Sequence, residues 1–279
     1  MVSVFGGEGE YKSLSRRPRP MARHFPSFLA DNASKKFGAA VSSATASGIA
    51  SRAAVEERAT SIEDATPLQQ VFRSIWERVK QSSPPAVRER YVKSNAHFCH
   101  SVAELHGEAF DDMVVMENIR RYLQVRAQNI GLYPLLALEE YAYGIDLPRH
   151  VVEHEAIQEI ERLVAEILTL QNDVLSYHRE HSIGHSQNLI SIFRRRLGLT
   201  QQQSYDRANE LLHRCYRQWY VAHAEVPSWG EQVDVQVQQY LKVCVDVLRA
   251  NVRWSFRSQR YFGADVDRVR KTRQVVLVP

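Results

Sequence analysis

Three oxygen-bearing side chains recur at four-residue intervals in the stretch NDVLSYHRE, residues 172–180. On a helix, Asn172, Ser176 and Glu180 fall at about 0°, 40° and 80° around the axis, so this triad occupies one side. An amide oxygen, a hydroxyl and a carboxylate are hard ligands that suit Mg²⁺. Because substrate phosphates commonly complete Mg²⁺ sites, the spacing predicts half of a phosphate-bridged metal site. A partly solvated helix border would explain the same residues without a metal.

The helix that carries the triad is predicted to run from about residue 150 to residue 182. Its apolar residues Ile157, Val164, Leu168 and Leu175 fall between about −80° and −40° on the same helical wheel. The triad therefore begins at the edge of the buried stripe and turns toward one flank, where a helix that lines a cleft presents polar atoms.

Helical periodicity continues almost throughout the chain from Pro67 onward, which predicts an all-α domain. An interruption is expected near Gly131 and Pro134, and Thr200 with Gln203 forms a predicted capping box. The stretch QVVLV near the C-terminus is the one candidate strand. The other predicted helices cover approximately residues 67–79, 86–106, 111–143, 200–224 and 230–262.

Residues 1–66 differ in composition from the rest and are predicted to form a divergent, loosely ordered segment ahead of a helical domain at 67–279. The net charge of +4 is carried by residues 1–60, which contain 9 Lys+Arg and 5 Asp+Glu. The basic balance therefore says little about the helical domain, and nucleic acid is not expected as a partner. Arg and Ser would fit a transit peptide, but we favour a divergent or wrongly joined N-terminus.

The composition indicates which broad class of protein the sequence belongs to. Hydrophobic residues make up 44% and charged residues 24%, which is typical of a globular protein. The longest apolar run, GLYPLLAL, is too short to span a bilayer. Cys99, Cys215 and Cys244 are widely spaced and odd in number, which argues against a disulfide framework. These features predict a cytoplasmic protein without a membrane span, either a monomer or a homodimer.

The motif N-D-x-x-S-x-x-x-E resembles the second metal-binding motif of microbial class I terpene synthases. The stretches VFRSIWERV, ALEEYAYGIDLPRHVVEH, VPSWGEQVD, WSFRSQRYFG and VRKTRQVVLVP are also similar to fungal, basidiomycete-type sesquiterpene synthases. The resemblance covers residues 67–279. It implies an all-α class I terpenoid synthase helical bundle, in which part of the N-terminal helices could be lacking.

The resemblance also implies roles for particular residues. Asn172, Ser176 and Glu180 would bind Mg²⁺, and Arg126, 46 residues before Asn172, would be the arginine that senses the substrate diphosphate. The stretch RAQNIG that begins at Arg126 is similar to the helix kink whose free carbonyl helps to trigger ionisation. Arg260 and Tyr261 match the C-terminal RY pair that donates hydrogen bonds to diphosphate.

The implied reaction is the Mg²⁺-dependent ionisation and cyclisation of farnesyl diphosphate to a sesquiterpene, with release of diphosphate. Such a carbon–oxygen lyase must keep its allyl cation away from water. Aromatic faces stabilise cations, which makes Tyr133 and Trp254 candidates, although core packing is the commoner role of such side chains.

The resemblance weakens at the first, Asp-rich metal motif of the family. Family spacing places it at LADNASKK, where Asp31 would be the remaining acid and a candidate metal ligand. Asn32 and Lys35 would replace acids there, and a lysine repels a cation. The later FDDMVVME is better explained by Asp111 and Asp112 as the cap and first-turn acid of a helix.

Three alternatives remain open at this point. His178, His181 and His185 follow helical spacing and could suggest zinc, but Gly184 interrupts the helix between them. The degenerate Asp-rich motif would also suit a catalytically inactive paralogue that keeps the helical body. Finally, residues 1–66 could come from a faulty or truncated gene model.

Overall fold

The computed structural model describes residues 2–3, 67–107, 119–185 and 187–275. Within these ranges the chain forms helices and one pair of two-residue strands, which confirms the predicted all-α class. In chain order the elements are β1 Val2–Ser3, α1 Pro67–Ser82, α2 Pro85–Gly107, α3 Ile119–Asn129, α4 Leu132–Tyr143, α5 Arg149–Val152, α6 Glu155–Ser182, α7 Leu189–Leu197, α8 Gln201–Ala224, α9 Glu231–Ser255, α10 Gln259–Phe262, a 3-10 turn Gly263–Asp265, α11 Val266–Thr272 and β2 Gln274–Val275.

Helix α6 is the centre of the bundle. It contacts α3, α7, α8, α9 and α10, and its middle is buried on every side rather than along one stripe. Ile160, Leu163 and Ile167 are fully buried there, together with Phe193 of α7. A helix segment that is buried on every side needs such a shell of other helices around it, so the shell fixes where the C-terminal end of α6 lies.

The start of α6 differs from the sequence prediction, which joined α5 and α6 into one helix. His154 adopts an extended backbone, and its imidazole Nδ1 accepts a hydrogen bond from the N–H of Ala156 at 3.2 Å. His154 therefore acts as an N-cap, a position usually held by Ser, Thr, Asp or Asn. The unusual cap residue explains why the sequence pattern did not reveal the break.

The expected interruption between α3 and α4 is present. Gly131 has φ 80°, in the left-handed region that favours glycine, and a Cβ at this position would lie 3.7 Å from the side chain of Phe98. The N–H of Ile130 still donates to the carbonyl of Arg126 at 3.0 Å, so α3 closes with its last turn intact. Arg126 is thereby placed in the final turn of α3, just before the kink.

The C-terminal part of the chain also departs from the prediction of a single helix to about residue 262. Helix α9 ends at Ser255, and Ser258 is extended, so the backbone turns before α10 begins. The turn directs Tyr261 into a small second core with Phe256 and Val275. β2 pairs antiparallel with β1, which confirms the first two residues of the strand predicted in QVVLV.

None of the helices in the described ranges is both long and apolar enough to cross a membrane. Burial in α6 comes from packing by neighbouring helices, and polar residues such as Gln171 and Asp173 lie within its buried part.

Candidate active site

The triad lies in the last three turns of α6, and two of its oxygens approach the same side-chain nitrogen. The amide Nδ2 of Asn188, the N-cap of α7, lies 3.0 Å from Glu180 Oε2 and 3.5 Å from Ser176 Oγ. Ser176 is fully buried, and the Glu180 side chain is 19% exposed. The hydroxyl and the carboxylate are therefore close together, and the carboxylate alone reaches toward solvent.

Asn172 connects two other parts of the fold. Its Oδ1 accepts a hydrogen bond from Arg126 Nη2 at 3.3 Å, and its Nδ2 donates to the Tyr261 hydroxyl at 3.0 Å. These contacts span 46 and 89 residues of sequence. The structure thus brings Arg126, Asn172 and Tyr261 into one hydrogen-bonded chain.

Arg126 is held by a set of acceptors. Nη1 donates to Asn129 Oδ1 at 2.7 Å, and Nη2 donates to Asp173 Oδ1 at 3.2 Å as well as to Asn172. Burial opposes the charge, but attraction to Asp173, Tyr122 and Glu180 outweighs it and raises the pKa of the guanidinium above its usual value. Arg126 therefore stays cationic in this site.

One nitrogen of the Arg126 guanidinium makes no hydrogen bond within the described part of the chain. Its Nε is buried and has no hydrogen-bond partner among the described residues. A buried N–H without a partner is unfavourable, so an oxygen that entered the site would gain a hydrogen bond there.

Tyr261 and Arg260 approach the triad from α10. Burial raises the pKa of the Tyr261 phenol, which therefore keeps its proton and remains a donor. Trp254 packs edge-on against the Tyr261 ring, with centroids 5.8 Å apart. The Arg260 guanidinium lies 5.8 Å from the same ring, but the residue is exposed. Arg260 is thus on the rim of the site, whereas Arg126 is inside it.

Sequence reasoning did not single out Asp173. Its side chain is 1% exposed, and it accepts hydrogen bonds from Arg126 and Tyr122 and from the backbone N–H of Leu189. The available signal was an acid within the motif N-D-x-x-S-x-x-x-E on a helix predicted to be largely buried, and such an acid requires partners because an isolated buried charge is unfavourable.

The donor set fits Mg²⁺ better than zinc. The triad supplies three hard oxygens with one carboxylate, and the unused Arg126 Nε suits an anion beside a bound cation. The described residues contain no group of three or more His, Cys, Asp and Glu side chains that could hold a metal. Of the suggested zinc ligands, His181 stacks on the Tyr177 ring and His185 lies 3.9 Å from Glu180.

Some predicted residues cannot be placed. Asp31, Asn32 and Lys35 of the suggested first metal motif lie outside the described residues, as do Asp111 and Asp112. Ligation by Asp31 therefore stays a prediction.

A cavity of about 290 Å³ lies beside the N-terminal half of α6, away from the triad. It is lined by Tyr133, Glu140, Glu161 and Tyr240 among others, and by neither Arg126 nor the triad. Glu161 lies 11 residues before Asn172, about 16 Å along the helix axis. Tyr133, considered above as a cation-stabilising ring, thus lines this second cavity.

Glu161 has an unusual proton affinity. Burial and, to a smaller extent, the charge of Glu140 together raise the pKa of its carboxyl to about 7, against the lowering effects of a hydrogen bond from Tyr240 at 2.6 Å and of Arg90. The folded state therefore holds a proton that the unfolded chain releases near its ordinary pKa of 4.5. Stability contributed by this protonation is present below that pKa and is lost as pH rises to about 7.

Substitution Glu161→Gln removes this titration, so the variant should gain stability relative to wild type as pH rises. We expect the difference in free energy of unfolding to increase by about 1–3 kcal/mol between pH 5 and pH 8, measured by urea denaturation. The matched control is Glu155→Gln, an exposed residue of the same helix. An equal difference at both pH values would contradict an elevated pKa at Glu161.

The fold and the site together define the class of protein. A central helix that ends in an oxygen triad facing a buried arginine, inside a helical bundle, is the architecture of class I terpene synthases. The solved structure of wild-type cucumene synthase superposes on this chain with a TM-score of 0.65 and 15% sequence identity, over 83% of this chain and 78% of that one. At that identity the likeness establishes the fold alone.

The particular family follows from the sequence. Residues 28–218 match the family described as terpene synthase family 2, C-terminal metal binding, and the chain belongs to this family. It is 37% identical over 214 residues to silphinene synthase from Penicillium patulum, covering 77% of this chain and 57% of that protein. It is 35% identical over 207 residues to sesquiterpene synthase 3 from Postia placenta, covering 74% and 56%. The chain thus spans a little over half the length of these relatives.

Proposed function

We propose that the protein is a sesquiterpene synthase that ionises and cyclises farnesyl diphosphate and releases diphosphate, with Mg²⁺ as its metal. The observation that carries this proposal is the hydrogen-bonded chain of Arg126, Asn172 and Tyr261 beside Glu180. It assembles a buried cation, a phenol donor and metal-type oxygens from three helices. Family membership supports a metal-binding synthase, and the name of the Postia placenta relative supports a sesquiterpene product.

The residues divide into two binding groups. Asn172, Ser176 and Glu180 would hold Mg²⁺, which neutralises diphosphate charge and so favours departure of the leaving group. Arg126 would donate its unused Nε–H to a diphosphate oxygen, and the Tyr261 hydroxyl would add a second donor. Arg260 on the rim would attract the entering anion, since exposed charges act mainly on association.

These donors would act on the breaking bond. When the bond between carbon 1 and the diphosphate oxygen breaks, its electron pair stays on the diphosphate. The donors stabilise the negative charge that develops there. The interruption after α3 follows the turn that carries Arg126, and a backbone carbonyl exposed at such a break would favour the allyl cation. The cation then cyclises and loses a proton, for which we assign the released diphosphate as acceptor.

We also propose that the protein works in the cytoplasm. No disulfide joins the three cysteines within the described residues, which supports a reducing compartment.

The test incubates purified protein with farnesyl diphosphate and Mg²⁺ and analyses the extract by gas chromatography with mass spectrometry. Wild type should give a sesquiterpene hydrocarbon, and the product should disappear when the metal is chelated. Asn172→Ala should lower product formation by about 100-fold or more, because it removes a metal ligand and both contacts of the carboxamide.

The matched control is Asn209→Ala on α8, outside the hydrogen-bonded chain, which should retain wild-type product formation. If folded wild type yields no product at any Mg²⁺ concentration, the proposal is wrong and an inactive paralogue is the better description.

A further inference from the structure

Asp173 occupies the junction of three helices next to the triad. Its Oδ2 accepts from the Tyr122 hydroxyl of α3 at 2.5 Å and from the N–H of Leu189, the first residue of α7, at 3.0 Å. Its Oδ1 accepts from Arg126 Nη2 at 3.2 Å. One buried carboxylate thus joins α3, α6 and α7.

The contact between Asp173 and Arg126 helps to orient the guanidinium group. Nη2 donates to both Asp173 Oδ1 and Asn172 Oδ1, and Nη1 donates to Asn129. A guanidinium is planar, so these three acceptors, together with the Tyr122 hydroxyl, fix the plane and leave Nε as the buried nitrogen without a partner in the described part of the chain. Asp173 is the only one of the three acceptors that is charged, and its attraction is the largest contribution that keeps Arg126 protonated.

The other side of Asp173 leads to the triad. Asn188 donates through Nδ2 to the backbone carbonyl of Asp173 at 2.8 Å and to Glu180 Oε2 at 3.0 Å. Its Oδ1 accepts from the N–H of Ile190 at 2.9 Å, which caps α7. Asn188 and Leu189, at the start of α7, therefore both hydrogen-bond to Asp173. Asn188 also contacts Glu180, a predicted metal ligand.

We propose that Asp173 is a positioning residue for diphosphate recognition: it sets the orientation of Arg126, so that the buried Nε–H has no acceptor in the described protein and is left for a diphosphate oxygen. This inference rests on the proposed function, because it assigns the anion that Arg126 meets there. Asp173 touches no substrate in this role and acts through the guanidinium.

A purely structural role of Asp173 predicts a different pattern of ligand binding in variants. A buried carboxylate with three hydrogen bonds could simply hold the bundle together, and its loss would then weaken every ligand interaction to a similar degree. A positioning role requires instead that the effect of changing Asp173 depends on Arg126. A double-mutant cycle measures this dependence directly.

The experiment titrates inorganic pyrophosphate into the full-length protein in Mg²⁺ by isothermal calorimetry. Four proteins are compared: wild type, Asp173→Asn, Arg126→Met and the double variant. Asp173→Asn should raise the pyrophosphate Kd by about 10-fold or more in the wild-type background, as loss of an orienting partner commonly does. In the Arg126→Met background it should change the Kd by less than about 2-fold.

Asp206→Asn is the control, since Asp206 is an exposed residue of α8 that accepts from Gln202, and its Kd should equal that of wild type. An unchanged Kd in Asp173→Asn, or an equal loss in both backgrounds, would overturn the positioning role while leaving the proposed function standing. Wild type that binds no pyrophosphate in Mg²⁺ would instead refute the proposed function.

Tyr122→Phe keeps the test decisive if Asp173→Asn does not fold. This change preserves the ring and removes only the hydroxyl that donates to Asp173 and also hydrogen-bonds with Arg126. It should weaken pyrophosphate binding by about 3-fold or more, and only when Arg126 is present. Binding at wild-type strength in Tyr122→Phe would contradict the proposal.

Discussion

Arg126→Met should lower kcat on farnesyl diphosphate by about two to three orders of magnitude, the usual cost of removing one preorganised donor to a developing negative charge. The variant also leaves Asp173 buried without its cation, so the free energy of unfolding should fall by about 3–5 kcal/mol. Steady-state kinetics and thermal unfolding, measured on the same samples, report the two effects separately.

Two further variants separate charge from geometry. Arg126→Lys keeps a cation but loses the planar fork, so it should retain more stability than Arg126→Met while its kcat stays low. Arg120→Met changes an exposed arginine on the same helix and should leave both quantities unchanged. If kcat of folded Arg126→Met fell by less than about 3-fold, diphosphate recognition by this residue would be excluded.

Glu180→Gln should weaken the apparent affinity for Mg²⁺ by about 10- to 100-fold, because it removes the one carboxylate of the triad. The amide oxygen of glutamine can still accept from Asn188, so the packing around α7 should persist. The measurement is the Mg²⁺ concentration that gives half-maximal pyrophosphate binding by calorimetry.

Glu155→Gln on the same helix serves as the control and should bind with the wild-type Mg²⁺ midpoint. A Glu180→Gln protein with an unchanged midpoint would show that the carboxylate does not ligate the metal, whatever its effect on turnover.

Local sequence patterns predicted much of the fold. The periodicity from Pro67 onward indicated helices that the structure contains, and the T-x-x-Q box at Thr200 caps α8 through both of its hydrogen bonds. The breaks before α6 and after α9 escaped prediction because their backbone turns use His154 and Ser258 without a nearby glycine or proline signal. Such turns depend on tertiary contacts, which periodicity does not encode.

The candidate site was predictable to a different degree for each residue. The four-residue spacing places Asn172, Ser176 and Glu180 together on any helix, so local geometry suffices for them. Arg126 and Tyr261 are distant in sequence, and only the family resemblance put them beside the triad, where the structure also places Arg126 and Tyr261 in contact with Asn172. Asp173 and Glu161 were missed because their properties arise from burial and from neighbours on other helices.

The Asn172 carboxamide is a flat group held at both ends. Its oxygen faces Arg126 and its nitrogen faces Tyr261, at 3.3 and 3.0 Å. Since the two atoms turn about a single torsion, a rotation of the carboxamide changes both contacts together. A fluorine label on Tyr261 should consequently report, by its resonance frequency, any rotation that frees the guanidinium on the opposite helix.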